Sequence, residues 1–132
     1  MEREQLKEMY EKYNLEPADI FVIKFGAKGI PIITRTGVEK IQSRLGISVS
    51  LELQYHSEDL KTAIIKAVGK LDNTVIETFG EVSPSNCKQN YPIAIAEKRA
   101  LARVVLKLSG AYSEGIFSED ESEDFKQKSW KV

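Results

Sequence analysis

The sequence predicts an α+β fold in which a long helix packs across a short antiparallel sheet, a β-β-β meander, with a β-hairpin and a short helix before it. Three observations predict this class. Residues 47–56 alternate between apolar and polar side chains, which is typical of a half-buried strand. Residues 61–82 predict a hairpin with a tight turn at Asp72 and Asn73. Residues 92–110 predict the long helix, because proline suits its first turn and glycine suits its C-terminal cap.

The N-terminal part of the chain predicts a helix followed by a hairpin. Residues 2–13 are highly charged, but they carry apolar side chains at helical spacing, enough to dock on a partner or on the rest of the chain. These apolar residues are Leu6, Met9, Tyr10 and Tyr13. Pro17 ends the helix, since a proline disfavours helical backbone in the residue before it. Residues 20–25 and 30–34 then predict two short strands around a turn that contains Gly26 and Gly29.

A second helix is predicted between the hairpin and the meander. Its N-terminus can be capped by Thr34 or Thr36, and Gly46 ends it. One helical face carries Val38, Ile41 and Leu45. The strand that follows is predicted to bury one side, which consists of Ile47, Val49, Leu51, Leu53 and Tyr55. From residue 36 onward the predicted order is α-β-β-β-α, which suits an α+β domain.

Charge is distributed unevenly along a chain whose net charge is only −1. Residues 1–19 carry −3, residues 20–113 carry +5, and residues 114–132 carry −3. We therefore divide the chain at these boundaries into a charged N-terminal helix, an α+β body and an acidic C-terminal tail. A basic body between acidic ends indicates a polyanion-binding surface, although ordinary variation of surface charge gives the same balance. The tail is predicted to be disordered or to form a short docking helix.

Composition excludes several classes of protein. The chain has 132 residues, of which 42% are hydrophobic and 30% charged, and this predicts one soluble domain. No apolar run approaches the roughly 20 residues of a membrane span, and the N-terminus has no apolar signal region. We therefore expect a cytoplasmic protein that does not contact membranes. One cysteine and one histidine can make neither an internal disulfide nor a Cys/His zinc site, and we expect no cofactor.

Signals for catalysis are weak. His56 stands alone on the polar side of its strand, and Cys87 has Lys88 beside it but no second histidine to act as its base. The glycines of segment 26–29 are too few to form a phosphate-binding loop. We therefore expect that the protein is not an enzyme.

The long helix carries an apolar row and a basic row, each with residues four apart. The apolar row consists of Ala96, Ala100 and Val104, and its alanines allow the helix to lie close to a sheet. The basic row consists of Arg99, Arg103 and Lys107, with Lys98 beside it. Glu97 is the one acidic residue of this helix, so most of the cations lack an intrahelical partner. The basic row is either the solvated face of an amphipathic helix or a set of phosphate ligands.

The hairpin end and the long helix resemble a known family. A strand ending in "GEVS", a loop, and then "YPIAIAEKRALARVVLKLSG" are similar to the signature of the single-strand-annealing recombinase superfamily. This superfamily includes the eukaryotic annealing protein of double-strand-break repair and phage relatives of the essential-recombination-function type. Its helix has the form A-x-x-R-A-x-x-R-A, which Ala96 to Val104 match except for the last alanine. The segment "GIPIITRTGVEKIQSRLGI" also resembles the family, and the resemblance covers roughly residues 20–113.

The resemblance implies a DNA recombination and repair protein of phage or mobile-element type that binds single-stranded DNA and anneals strands as a homo-oligomer. Binding would neutralise phosphates in a basic groove. The candidate ligands are Arg99, Arg103, Lys107 and Lys98 on the helix, Lys66 and Lys70 on the hairpin, and Lys28 and Arg35 nearer the N-terminus. The candidate stacking residues are Tyr55, Phe79 and Tyr91, of which the loop residue Tyr91 is expected to be exposed.

Two other functions fit the same residues. A protein-interaction or assembly module would use the basic helix to meet acidic partners, including its own tail. A double-stranded RNA-binding domain has the same α-β-β-β-α order, but the lysine cluster that such domains place at the start of the last helix is missing here. The acidic tail is expected either to restrain DNA binding or to dock a partner protein through Phe117, Phe125 and Trp130.

Overall fold

The computed structural model describes residues 3–25, 28–88, 90–112 and 115–119. In chain order the helices and strands are α1 Arg3–Tyr13, β1 Ile20–Phe25, β2 Lys28–Ile33, α2 Arg35–Leu45, β3 Ser48–His56, β4 Ala63–Leu71, β5 Thr74–Val82, α3 Pro92–Ser109 and β6 Phe117–Ser118. The strands form two sheets, ordered β1-β2-β6 and β3-β4-β5. The predicted α+β class is confirmed, with a hairpin and a short helix before a meander and a long helix across that meander.

The β3-β4-β5 meander is antiparallel throughout. The turn between β4 and β5 contains Asp72 with a φ of 54°, the left-handed backbone that the sequence predicts there. The predicted strand 61–70 begins later than expected, because the N–H of Ser57 donates to the carbonyl of Thr62 at 2.8 Å and closes the loop before β4. Lys61 consequently lies in the β3–β4 loop.

α3 packs closely against β4 and β5. Ala96 and Ala100 are fully buried, and a Cβ atom at Gly80 in β5 would collide with the backbone of both. The hydroxyl of Thr78 donates to the carbonyl of Ala100 at 3.1 Å and fixes the register between helix and strand. The predicted close approach of the alanine row to the sheet is therefore confirmed.

The burial predicted for β3 is wrong from Leu51 onward. Leu51, Leu53 and Tyr55 are 38%, 44% and 52% exposed. β3 is an edge strand, and α3 covers mainly the two strands beyond it. The register also shifts after Leu53, which places Tyr55 opposite Ile64 and on the other face of the sheet from the two leucines.

The elements before the meander follow the sequence prediction closely. β1 has the predicted bounds, whereas β2 starts earlier than the expected residue 30, so that Gly29 pairs with Lys24 inside the hairpin. Gly26 lies outside the described residues. The hydroxyl of Thr34 accepts from the N–H of Gly37 at 3.2 Å, and Gly46, with a φ of 73°, ends α2.

The sequence pattern does not predict β6. Phe117 and Ser118 belong to the predicted acidic tail, but they pair in parallel with Ile32 and Ile33 of β2. Ile116 and Ser118 are buried. The ring of Phe117 lies 5.8 Å from the ring of Tyr112. The rest of the tail, with Phe125 and Trp130, lies outside the described residues.

α1, α2 and α3 contribute to one hydrophobic core. α1 supplies Met9 and Tyr13, α2 supplies Val38 and Ile41, and α3 supplies its buried valines and Leu106. α1 therefore docks on the body of its own chain. Among the described residues, no helix combines the length and the apolar character needed to cross a membrane.

Candidate nucleic-acid interface

The two arginines of the basic row contact the outer edge of β5, which pairs with no other strand among the described residues. Arg99 Nη1 donates to the carbonyl of Glu81 at 2.8 Å, and Arg103 Nη1 donates to the carbonyl of Phe79 at 2.6 Å. Arg103 Nη1 also lies 2.9 Å from Glu81 Oε2. Edge carbonyls lack a strand partner on their outer side, and unpaired backbone groups are costly to leave unsatisfied. Both arginines thus stabilise the β5 edge.

Arg99 additionally fixes the loop between β5 and α3. Its Nη1 donates to Asn86 Oδ1 at 3.1 Å and its Nη2 donates to the Asn86 carbonyl at 2.8 Å. Asn86 Oδ1 also accepts from the N–H of Ser83 at 2.8 Å. These bonds hold the segment that carries Cys87 and Lys88 in one position.

A cleft of about 700 Å³ lies at the N-terminal end of α3. Its walls are the β3–β4 loop, the β5–α3 loop and the first turn of the helix, because both loops leave the sheet at the same end. Lys61 lines one wall, Cys87 and Lys88 line another, and Tyr91 stands at the helix start. We call this feature the α3 cleft.

The helix terminus adds positive potential to the α3 cleft. Tyr91 is the N-cap residue and makes no side-chain capping bond, and the first turn contains no acidic residue. Ile93 and Ala94 line the cleft, and their N–H groups are among the four that an α-helix cannot satisfy internally. The helix dipole places a partial positive charge at this end.

Asp59 is the acidic residue of the α3 cleft. Hydrogen bonds from the Ser57 hydroxyl at 2.7 Å and from the Lys61 N–H at 3.0 Å hold its carboxylate and lower the pKa of Asp59. Asp59 is therefore ionised at neutral pH, and both of these hydrogen bonds go to its Oδ1 atom. The same bonds give the β3–β4 loop a defined shape and position Lys61.

Tyr91 is exposed, as the sequence predicts, with 51% of its surface accessible. The ammonium of Lys98 lies 5.7 Å from the centre of its ring. A cation at this distance from an aromatic face is attracted by the ring quadrupole. Lys98 and Tyr91 are thus the two predicted ligands that the structure brings together at the α3 cleft.

Lys66 and Lys70 lie on the other face of the sheet. They alternate along β4 with Ile65, Ala67 and Gly69, which face α3. The Lys66 ammonium lies 3.9 Å from Glu77 Oε1. Strand register places Glu52 and the aromatic ring of Phe79 on either side of Lys66. The predicted stacking residues Phe79 and Tyr55 consequently share this face, which also carries Glu77 and Glu81.

The remaining predicted ligands lie on α3, β2 and α2. Lys107 is exposed in the last turn of α3, and Lys28 begins β2. Arg35 begins α2, and its Nε donates to Glu39 at 3.1 Å. The backbone N–H of Arg35 donates to Glu119 at 2.8 Å.

Lys61 and Lys88 are cleft residues that the sequence analysis missed. The predicted topology could have identified them, because in a three-strand meander the β3–β4 loop and the segment after β5 leave from one end of the sheet. No three His, Cys, Asp or Glu side chains of the described ranges are grouped so that they could hold a metal ion. Comparison of the chain with protein-family models, with curated proteins and with solved structures gives no significant match.

Proposed function

We propose that this protein binds single-stranded DNA in the α3 cleft and anneals complementary strands as a homo-oligomer. The observation that carries the proposal is the exposed ring of Tyr91 in a cleft with Lys61 and Lys88, at a helix N-terminus whose first turn contains no acidic residue. An aromatic ring stacks on any base, and such stacking contributes about 1–3 kcal/mol per base. Lysines and a helix N-terminus neutralise phosphate without reading sequence.

Charge favours the α3 cleft over the open face of the sheet. Lys61, Lys88 and the adjoining Lys98 outnumber Asp59, the acidic residue lining the cleft. On the open face of the sheet, Lys66 and Lys70 meet Glu52, Glu77 and Glu81, and Arg103 pairs with Glu81 from the edge. A polyanion therefore gains more from the first surface, where cations are in excess, than from the second, where the charges balance.

Annealing needs no bond chemistry from the protein. It requires that phosphates be neutralised and that bases stay accessible for pairing. In this proposal Lys61 and Lys88 contact the backbone, Tyr91 stacks on a base, and Lys98 orients the ring of Tyr91. Arg99 acts as a positioning residue, because it holds the loop that carries Lys88.

The test is fluorescence anisotropy with a labelled oligo-dT strand over a series of salt concentrations. The wild-type Kd should rise steeply with salt, and Lys61→Ala and Lys88→Ala should each flatten the logarithmic salt slope by about one. Tyr91→Ala should weaken binding by about 1–3 kcal/mol, whereas Tyr91→Phe should retain it, because phenylalanine keeps the stacking surface.

Lys24→Ala is the matched control, since Lys24 is an exposed lysine in β1 and does not line the cleft. It should leave the salt slope unchanged. If Lys24→Ala and Lys61→Ala lose the same amount of affinity for oligo-dT, binding depends on the overall charge of the protein and not on the α3 cleft. Loss for Lys70→Ala instead of Lys61→Ala would place the strand on the open sheet face. Duplex DNA and double-stranded RNA serve as competitors, and tighter binding of either would contradict the proposal.

A protein-interaction module is the second candidate function, and one observation favours it. Leu51 and Leu53 are exposed apolar side chains on an edge strand, which is typical of a surface that pairs with another chain. If the anisotropy experiment detects no binding of any nucleic acid at low salt, this candidate replaces the first.

A further inference from the structure

The two edges of the β3-β4-β5 sheet differ. On the β5 edge, the carbonyls of Phe79 and Glu81 accept hydrogen bonds from Arg103 and Arg99. β3 pairs with β4 on one side, and among the described residues no strand pairs with its other side. Proteins usually protect such an edge, so a nine-residue strand that no described strand covers on its outer side is a site for pairing with another chain.

The side chains of β3 suit pairing over one part of the strand. Val49, Leu51 and Leu53 stand opposite Gly69, Ala67 and Ile65, so all three lie on the face of the sheet that α3 packs against. The register shift after Leu53 interrupts the strand there. Glu52 is the one charged residue between Ser48 and Leu53. The segment 48–53 is thus a short, mostly uncharged edge with an apolar inner row.

We propose that β3 pairs antiparallel with β3 of a second copy of this chain, with Leu51 on the two-fold axis. In an antiparallel pair, residues that stand directly opposite each other have their side chains on the same face of the sheet. A pair of β3 strands related by a two-fold axis must therefore be centred on a residue and not between two residues. Centring on Glu52 would place two glutamates opposite each other, which is destabilising. Centring on Leu51 places Glu52 opposite Ser50 of the partner and Leu53 opposite Val49 of the partner.

This register joins the exposed leucines of the two copies into one apolar surface beside the two α3 helices. A second copy fits better than an unrelated strand, because the side chains of segment 49–53 are complementary to themselves. The occupied β5 edge also favours a closed pair over a ring of continuous sheet, which would need β5 of one subunit to be open to β3 of the next. The inference names the interface of the proposed homo-oligomer, but it does not depend on DNA binding.

Sedimentation equilibrium without DNA tests the proposal with two variants of one residue. Wild-type protein should have the mass of two chains of 14.9 kDa. Leu51→Lys and Leu51→Glu should each be monomeric, because residue 51 faces its own copy and like charges then oppose each other. An equimolar mixture of the two variants should recover the dimer mass, since lysine then faces glutamate.

Val75→Glu is the matched control, because Val75 is an exposed apolar residue on the opposite edge strand and stands opposite Lys70, so that the new charge is not repelled. It should remain dimeric. Circular dichroism of the Leu51 variants should match wild type, since the substituted side chain is already partly in solvent.

A monomeric wild type, dimeric Leu51 variants or a mixture that stays monomeric would each overturn the proposal. The dimer and the proposed function can fail separately. The Tyr91 and lysine variants should lose DNA binding and keep the dimer, whereas the Leu51 variants should lose the dimer whether or not they bind DNA.

Discussion

At the scale of single residues, Asp19 is the buried charge that ties the N-terminal segment to α2. It is 5% exposed, and its carboxylate accepts from the Lys40 ammonium and from the Glu16 N–H, both at 2.7 Å. Burial by itself raises the pKa of Asp19, but these hydrogen bonds and the charge of Lys40 outweigh it, so that the pKa lies below its usual value of 3.8. A carboxylate that ionises more readily in the folded state stabilises that state.

Asp19→Asn should therefore lower the free energy of unfolding at pH 7 by about 1–3 kcal/mol, because a charged hydrogen-bond acceptor is lost. Folding lowers the pKa of Asp19. Its contribution to the free energy of unfolding is therefore fully present above the pKa of the unfolded state, and it disappears as pH falls through the pKa of the folded state. Urea titrations should show the two proteins differing at pH 7 and converging below about pH 4. Glu58→Gln, which neutralises an exposed carboxylate, is the control. If the difference in the free energy of unfolding persists unchanged at pH 2, the effect of Asp19→Asn comes from side-chain packing and not from the lost charge.

For Arg99 and Arg103, the residue pattern predicts the side of α3 on which they lie but not the groups that they contact. Their four-residue spacing places both on one side of α3, and the structure agrees. Their acceptors are carbonyls of β5, which are 18 and 24 positions away in the chain. Every residue has a carbonyl, so no sequence pattern marks the ones that end at a sheet edge. Substitution of either arginine would disturb the fold, and the cleft lysines are for this reason the better probes of DNA binding.

At the scale of elements, the contact between α3 and β5 depends on the absence of side chains. Gly80 faces backbone atoms of Ala96 and Ala100 at a distance that excludes a Cβ atom. Backbone cannot move aside as a flexible side chain can, because the whole helix would have to shift. The positions of Arg99 and Arg103 beside the β5 edge follow from this contact.

Gly80→Ala should be strongly destabilising, by about 3 kcal/mol, at the upper end of the range for overpacked cores. Gly29→Ala is the matched control. Among the described residues, the added Cβ at residue 29 would meet a methyl group of the exposed Val22 at 2.7 Å, and that side chain can move into solvent. The control should change stability by less than about 1 kcal/mol. Thermal unfolding of both variants measures the difference, and equal melting temperatures would show that α3 can retreat from β5 without cost.

β3 shows why element type was easier to predict than burial. Alternation over 47–56 identifies a strand correctly, because the two-residue period belongs to the strand itself. Whether the apolar side is covered depends on the position of α3, which reaches β4 and β5 but leaves Leu51 and Leu53 exposed. The irregularity that turns Tyr55 to the other face depends on pairing with β4, which the alternation does not record.

At the scale of the whole molecule, residues 115–119 are anchored to the body, although the sequence predicts disorder or a short docking helix for the tail that begins at residue 114. Ile116 is fully buried, and Glu119 accepts a hydrogen bond from the N–H of Arg35. A two-residue parallel strand such as β6 leaves no periodic signal, so composition alone could not predict it. Removal of residues 114–132 would expose core residues as well as removing charge. The acidic segment is better altered from residue 120 onward.

The acidic segment after Glu119 should restrain DNA binding if it competes for the cleft lysines. Its carboxylates are Asp120, Glu121, Glu123 and Asp124, and replacing them with Asn and Gln changes the net charge from −1 to +3. A tethered anion acts at a local concentration on the order of millimolar beside its site. The neutralised protein should therefore bind oligo-dT with a several-fold lower Kd at low salt, and the difference should shrink as added salt screens the tail.

A variant with residues 120–132 scrambled separates tethered charge from a specific contact. Scrambling keeps composition, length and net charge, so tethered competition predicts the wild-type Kd for the scrambled tail and tighter binding for the neutralised tail alone. Tighter binding by both variants would indicate a sequence-specific contact between tail and body. If neither variant changes the Kd, the tail does not reach the α3 cleft, and docking of a partner protein through Phe125 and Trp130 becomes its expected role. Glu119 stays unchanged in both variants because it holds the N-terminus of α2.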